Sequence, residues 1–210
     1  AVQRKFAVDL TAVVAELYLT PRARRRRAGT DDDREFFAIL NARARAAVTS
    51  DPRRIFYDNI GGVRRMNRID PRTFEPACAM YAVAGGMFSF SGLSLGIARR
   101  FLARAQTCRV PSVTSDAFDC RSLEFTINYL GGQWRDEDII DRAFLDEAIR
   151  SGLFWDVQNY LGLACDRLQR QGRFAQAEQH FARLAELRDL YEFTFAGTNH
   201  DGERAMYYLE

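Results

Sequence analysis

Along residues 163–187, LACDRLQRQGRFAQAEQHFARLAEL, apolar residues recur every three or four positions on both sides of Gln171-Gly172-Arg173. That spacing predicts two amphipathic helices joined by a tight turn. Two short helices cannot bury both apolar faces on each other alone, so further helices must cover them. The same pattern surrounds two earlier glycines. Tyr81, Ala84, Gly85 and Phe88 precede Gly92, and Ile97, Phe101 and Leu102 follow it. Leu123, Ile127 and Leu130 precede Gly132, with Trp134, Ile140, Phe144 and Ala148 beyond. Gly92, Gly132 and Gly172 stand 40 residues apart. Glycine accepts positive φ without strain, so each can end one helix and let the next fold back. The pattern predicts an all-α chain, an α-solenoid of three successive helical hairpins.

The third hairpin resembles a tetratricopeptide repeat. Leu161, Cys165, Leu168, Gly172, Phe174, Ala177 and Phe181 fill that family's large, small and aromatic positions. The first matches at Tyr81, Gly85, Phe88 and Gly92, then departs at Ser94 and Ile97. The middle one departs at Glu124 or Phe125, where a small residue is expected. Family repeats run to about 34 residues, so these have extended helices or links. The longer form is similar to the helical arrays of large bacterial signalling ATPases and transcription regulators, which sense ligands or bind partner proteins. The resemblance spans about residues 74–195 and implies a repeat array over 74–210, preceded by N-terminal helices over 1–73. The closing NHDGERAMYYLE reads as the opening of a fourth unit, so a longer parent protein is expected.

In the front segment, RKFAVDLTAVVAELYL reads as a helix with Phe6, Leu10, Val13, Val14 and Leu17 on one face. DDDREFFAILNARARAAV reads as another, opened by acidic residues that suit a helix N-terminus. Between them PRARRRRAGTDDD sets five arginines beside three aspartates. No aromatic interleaves that run to stack bases, and Asp31, Asp32 and Asp33 can neutralise much of its field. It reads as a solvated loop rather than a nucleic-acid site. DNIGGVRRMNRIDP, with Gly61-Gly62, is expected to join the front helices to the repeats.

Composition narrows the chemistry. The net charge of +2 arises from 30 basic and 28 acidic residues, which gives no global field towards nucleic acid or an anionic membrane. Lys5 is the single lysine, consistent with the codon use of a GC-rich genome. It also rules out a phosphate-binding G-x-x-x-x-G-K-[ST] loop. Cys78, Cys108, Cys120 and Cys165 form no C-x-x-C pair, and His180 and His200 are the only histidines. That is a poor basis for a metal site, and the cysteines read as small apolar residues. FSFSGLSLG lacks the G-x-S-x-G elbow of a hydrolase. Asp136, Glu137 and Asp138 read as the acidic start of a helix. The uncharged run 76–98 is broken by glycines and serines, so no membrane span is expected and a reduced, cytoplasmic setting is. No catalytic set and no cofactor is expected.

What the resemblance implies for function is recognition. Its groove positions map onto Asn159, Asp166, Gln169 and Arg170, which would hold a protein or peptide partner. The other function class in play is a small-molecule sensor within a transcription regulator, which would need an enclosed pocket lined by aromatics and a few polar groups.

Overall fold

The computed structural model describes residues 2–19, 26–47, 51–191 and 201–202. Among these the chain is all-α, and the only extended pairing is an isolated bridge between Arg27 and Ile69. It divides into two compact units, Ala1–Pro111 and Ser112–Glu210. The boundary expected at 73/74 falls inside the first. The stretch 199–210, read as a fourth unit, lies outside the described residues apart from Asp201 and Gly202.

The first unit holds α1 (Val2–Leu19), α2 (Asp31–Ala47), α3 (Pro52–Met66), α4 (Ala77–Phe90) and α5 (Leu95–Cys108). α3 is its hub and packs on α1, α2 and α4, while α4 and α5 form a close hairpin. Polar residues cap the starts of α2, α3 and α5, whereas α4 follows Pro76 without a side-chain cap. Thr30 and Asp33 form a reciprocal cap on α2: the Thr30 amide donates to Asp33 Oδ2 at 3.0 Å and the Asp33 amide to Thr30 Oγ1 at 3.3 Å. Asp51 Oδ1 accepts from the Arg54 amide at 3.1 Å, with Pro52 in the first turn of α3. Ser94, which departs from the repeat pattern, caps α5 by accepting from the Ile97 amide at 3.2 Å.

DNIGGVRRMNRIDP is not a connector. Its first nine residues lie inside α3, and only Asn67 to Asp70 form the link onwards. Gly62 serves packing here, since a Cβ on it would stand 2.5 Å from Leu40 Cδ2 of α2, whereas Gly61 faces open space. A side chain at Gly62 would force Leu40 out of its place.

The second unit holds α6 (Thr114–Leu130), α7 (Arg142–Arg150), α8 (Phe154–Arg170) and α9 (Phe174–Tyr191). α8 packs against all three of the others. Phe118, Phe125, Tyr160, Leu161, Cys165 and Phe181 are buried in their shared core. Gly132, Gly152 and Gly172 have φ of 70°, 79° and 70°. Each ends a helix in the same way, with the amide after the glycine reaching back to a carbonyl five residues earlier: Gln133 to Asn128, Leu153 to Ala148, Arg173 to Leu168. The turns therefore recur every 20 residues, and Gly152 was hidden between the two that the 40-residue spacing reveals.

The helix expected directly after Gly132 does not form. Residues 131–141 run irregularly, and Asp136–Asp138 make a single 3-10 turn instead of opening an α-helix. α7 starts only where Asp141 Oδ1 accepts from the Phe144 amide at 2.9 Å. Within the link the Asp138 amide donates to the Arg135 carbonyl at 3.2 Å and the Ile139 amide to the Asp136 carbonyl at 3.1 Å, and further bonds tie it to its neighbours. The Ile140 amide donates to the Tyr160 hydroxyl at 2.7 Å, and Asn128 Nδ2 donates to Asp138 Oδ2 at 3.1 Å. Arg173 pairs with Asp136.

Cys78, Cys120 and Cys165 are buried and Cys108 is partly buried, all as free thiols. No described helix is long and apolar enough to cross a membrane.

Candidate functional site

α8 is enclosed on most of its circumference. Its open stripe carries Asn159, Asp166 and Arg170, which fall within a narrow arc because residues 7 and 11 positions apart return to one face. Gln169, expected beside them, is turned inward and only 7% exposed. Asn159 is exposed, and its Oδ1 accepts from Gln158 Nε2 at 3.1 Å. The structure thus places three of the four expected residues on one surface and the fourth in the interior.

Asp166 is the centre of this surface. It accepts from Arg170 Nε at 2.7 Å, one turn along α8, and from the Tyr129 hydroxyl, which crosses from α6. The Arg170 guanidinium is held above its ordinary value by that carboxylate. The Tyr129 phenol is pushed up to about 12, first by burial and then by the Asp166 carboxylate that it serves as donor.

The Tyr129 ring lies in a run of three stacked aromatics. Phe125 is parallel to within 3° at 6.3 Å on one side, and Trp134 to within 13° at 6.2 Å on the other. The Trp134 indole N–H donates to the Tyr129 carbonyl at 2.9 Å, fixing the ring over the turn at Gly131-Gly132. Trp134 stays 37% exposed and neighbouring Leu130 40%. The α6–α8 face therefore offers an aromatic ledge next to a hydrogen-bonded ion pair. Tyr129 and Trp134 are the members that the repeat positions did not identify. The signal was an aromatic five residues before another across a Gly-Gly turn, a spacing outside any helix period.

Behind this face Arg167 is fully buried. Its Nη2 donates to the Arg135 carbonyl at 2.6 Å, and its guanidinium carbon lies 5.5 Å from the Phe125 ring centre. Among the described residues Nε and Nη1 have no hydrogen-bond partner, and burial pushes the guanidinium below its ordinary value.

Two other places carry polar chemistry. Between α7 and α9 a cleft of about 540 Å³ contains Arg183, which pairs with Asp146 and Glu186. Between α2, α3 and α4 a pocket of about 80 Å³ is walled by Phe37, Leu40, Ile55, Ala79 and Met80. Asn41, Asp58 and Asn59 also line it, and Asn59 Oδ1 is buried without a partner among the described residues. Among the described residues no group of three or more His, Cys, Asp and Glu is placed to hold a metal ion. No family model, curated protein or solved structure matches this chain.

Proposed function

We propose that the chain is a protein-interaction module of a larger regulatory protein, with helical hairpins of tetratricopeptide type. Its α6–α8 face binds a peptide or protein partner. The observation that carries this reading is the Tyr129–Asp166–Arg170 network laid beside the exposed ring of Trp134. Tryptophan, tyrosine and arginine are the residues that dominate binding energy at protein interfaces. Here they are pre-ordered by stacking and ion pairing, so little side-chain entropy is lost when a partner docks. Asp166 and Arg170 act as the polar clamp, Trp134 and Leu130 as the apolar contact, and Asn159 as a hydrogen-bonding position at the N-terminal end of the stripe.

The experiment is partner capture with the parent chain beside Trp134→Ala and Arg170→Glu, followed by affinity measurement on what the parent alone retains. Removing a charge-assisted hydrogen bond at Arg170 should weaken binding by about 1.5–3 kcal/mol, roughly 10- to 100-fold. Both variants should stay folded, with the melting temperature of Arg170→Glu close to the parent's and that of Trp134→Ala lowered by loss of the Tyr129 contact. Unchanged affinity in both variants would move the binding surface elsewhere.

A second reading, small-molecule sensing, is favoured by Asn59. A buried amide carbonyl with no donor among the described residues, in a mostly apolar pocket that Asn41 and Asp58 also line, suits a compact apolar ligand bearing one hydroxyl or N–H group. Phenol and indole are the probes. Chemical-shift changes confined to α2, α3 and α4, lost in Asn59→Leu, would support it; their absence would leave the interaction module alone.

A further inference from the structure

The near-neutral total conceals a segregation of charge. Residues 1–111 carry twenty Lys and Arg against ten Asp and Glu, a balance of +10, whereas residues 112–210 carry ten against eighteen, a balance of −8. Within the first unit the excess has a focus. A groove of about 850 Å³, walled by α1, α2 and α3, is lined by Lys5, Arg27, Arg43, Arg64, Arg65 and Arg68. Asp9 and Asp58 line it as well, and buried Asp33 stands behind it.

These carboxylates do not cancel the cations. Asp33 takes two arginines, meeting Arg27 Nη1 at 2.5 Å and Arg65 Nη2 at 2.7 Å. Asp9 pairs with Arg64, and Asp58 with Arg43 at 2.7 Å. Lys5 and Arg68 meet no carboxylate among the described residues, and each paired arginine keeps N–H donors beyond those its aspartate uses. The pairs also hold the guanidinium planes in place, so the groove is a pre-ordered array of donors.

Aromatic rings complete it. The arginine run at 22–27 has no aromatic within it, which argued against base stacking, but the fold supplies rings from elsewhere in the chain. Phe6 of α1, Phe36 of α2 and Tyr57 of α3 all line the groove and are half-buried. Phe6 and Tyr57 pack with centroids 4.4 Å apart, and the Arg65 guanidinium lies over Phe36 at 4.3 Å. A positive groove that tracks a phosphate backbone, with aromatic and guanidinium planes along it, is the arrangement that suits unpaired nucleotides.

We infer that this groove binds single-stranded nucleic acid. The phosphates meet Lys5, Arg64 and Arg68, and bases stack on the ring surfaces of Phe6, Phe36 and Tyr57. An acidic peptide would satisfy the charge but leave the rings without a counterpart. A duplex would keep its base faces stacked inside and leave them equally unused. This inference departs from the expectation that the arginine run is only a solvated loop, and it is independent of the α6–α8 face.

The test uses the full 210-residue chain and a labelled oligothymidylate of about 16 nucleotides, the upper site size of a single-strand-binding fold. Fluorescence anisotropy should show binding at about 50 mM salt. Three to six phosphate contacts should give log K against log salt a slope of about −2 to −4. Lys5→Glu with Arg68→Glu should lower the affinity at least about tenfold by replacing attraction with repulsion at two contacts. Neither side chain has an ion-pair partner among the described residues, so circular dichroism and melting temperature should match the parent. If the double variant does not fold, Lys5→Gln and Arg68→Gln singly provide the same comparison. Four outcomes overturn the inference: no binding at low salt, parent affinity in folded charge variants, polyglutamate bound as tightly as the oligonucleotide, or the matching duplex bound more tightly than the single strand. The third would identify an acidic protein segment as the occupant.

Discussion

The Tyr129 hydroxyl donates to the Asp166 carboxylate across the α6–α8 seam, so the side chain that orders the exposed Asp166–Arg170 pair comes from a different helix. Its alkaline behaviour follows from that bond. The folded phenol is pushed up to about 12 from an ordinary 10. A group whose folded value is raised stabilises the fold fully below its unfolded value and loses that contribution as pH rises through the folded one. Stability of the parent should therefore fall between about pH 10 and 12, and Tyr129→Phe should remove part of the fall. Tyr81 and Tyr160, also raised by burial, will contribute the remainder. Denaturant melts across this range give the slope. Phenolate absorbance, parent minus variant, should titrate near 12 rather than 10.

At the acid end the decisive carboxylate is Asp33. Its side chain is fully buried and accepts from Arg27, Arg65 and both polar groups of Thr30. These bonds, the Arg27 pair foremost, hold the carboxyl well below its ordinary 3.8. A lowered folded value gives stability that is present above the unfolded value and lost as pH falls below it. The first unit should thus weaken from about pH 4 downwards. Asp33→Asn should cost about 2–3 kcal/mol at neutral pH, below the range for a wholly buried ion pair because both arginines remain partly solvated. The same variant should flatten the acid limb. Equal slopes in parent and variant would assign that limb to other carboxylates.

How much of this was legible in the sequence differs by residue. Gly92, Gly132 and Gly172 all adopt positive φ, so turn chemistry located three helix ends correctly. Gly152 escaped although α7 before it buries Leu145, Ala148 and Ile149 on one face, because the hairpins were aligned on glycines 40 residues apart. The link 131–141 was misread because Ile140 stands four residues before Phe144 of α7 and so continues that helix's spacing back towards Trp134. What holds them is contact with α6 and α8, which no local pattern reports. Gln169 and Arg167 turned inward for the same reason. A helix touched by three others has few open positions, and residue type alone does not say which they are. The charge segregation was visible in principle and cancelled in the total.

Phe181 of α9 is fully buried, with Ala177 one turn earlier, against the shared core of the second unit. The small Ala177 lets α9 approach α8, and the Phe181 ring fills the volume beyond it. Phe181→Ala should cost about 3–5 kcal/mol, the range for truncating a buried aromatic. Urea melts followed by circular dichroism would measure it. A loss below about 1 kcal/mol would mean that α9 does not seat on α8 through this residue.

Arg167 is the opposite case, a buried residue whose removal should not hurt. Its side chain is wholly out of solvent, yet among the described residues it makes one hydrogen bond, to the Arg135 carbonyl, and leaves Nε and Nη1 unsatisfied. The nearest carboxylate oxygen, on Asp136, is 4.0 Å away and is shared with Arg173. A desolvated guanidinium recovers little from so sparse a set of partners, and replacing such charges by apolar residues of similar volume is often neutral or stabilising by about 1–4 kcal/mol. Methionine matches the length of the arginine stem and would keep its packing against Phe125. The expected result for Arg167→Met is therefore unchanged or increased stability in denaturant melts, with the Arg135 carbonyl left to the solvent side of the link. A loss above about 3 kcal/mol would instead show that the two unsatisfied nitrogens are paired in solution, to water or to a carboxylate of the 131–141 link. Asp136→Asn and Asp138→Asn would then separate those cases, since only a carboxylate partner makes either substitution as costly as the loss of Arg167 itself.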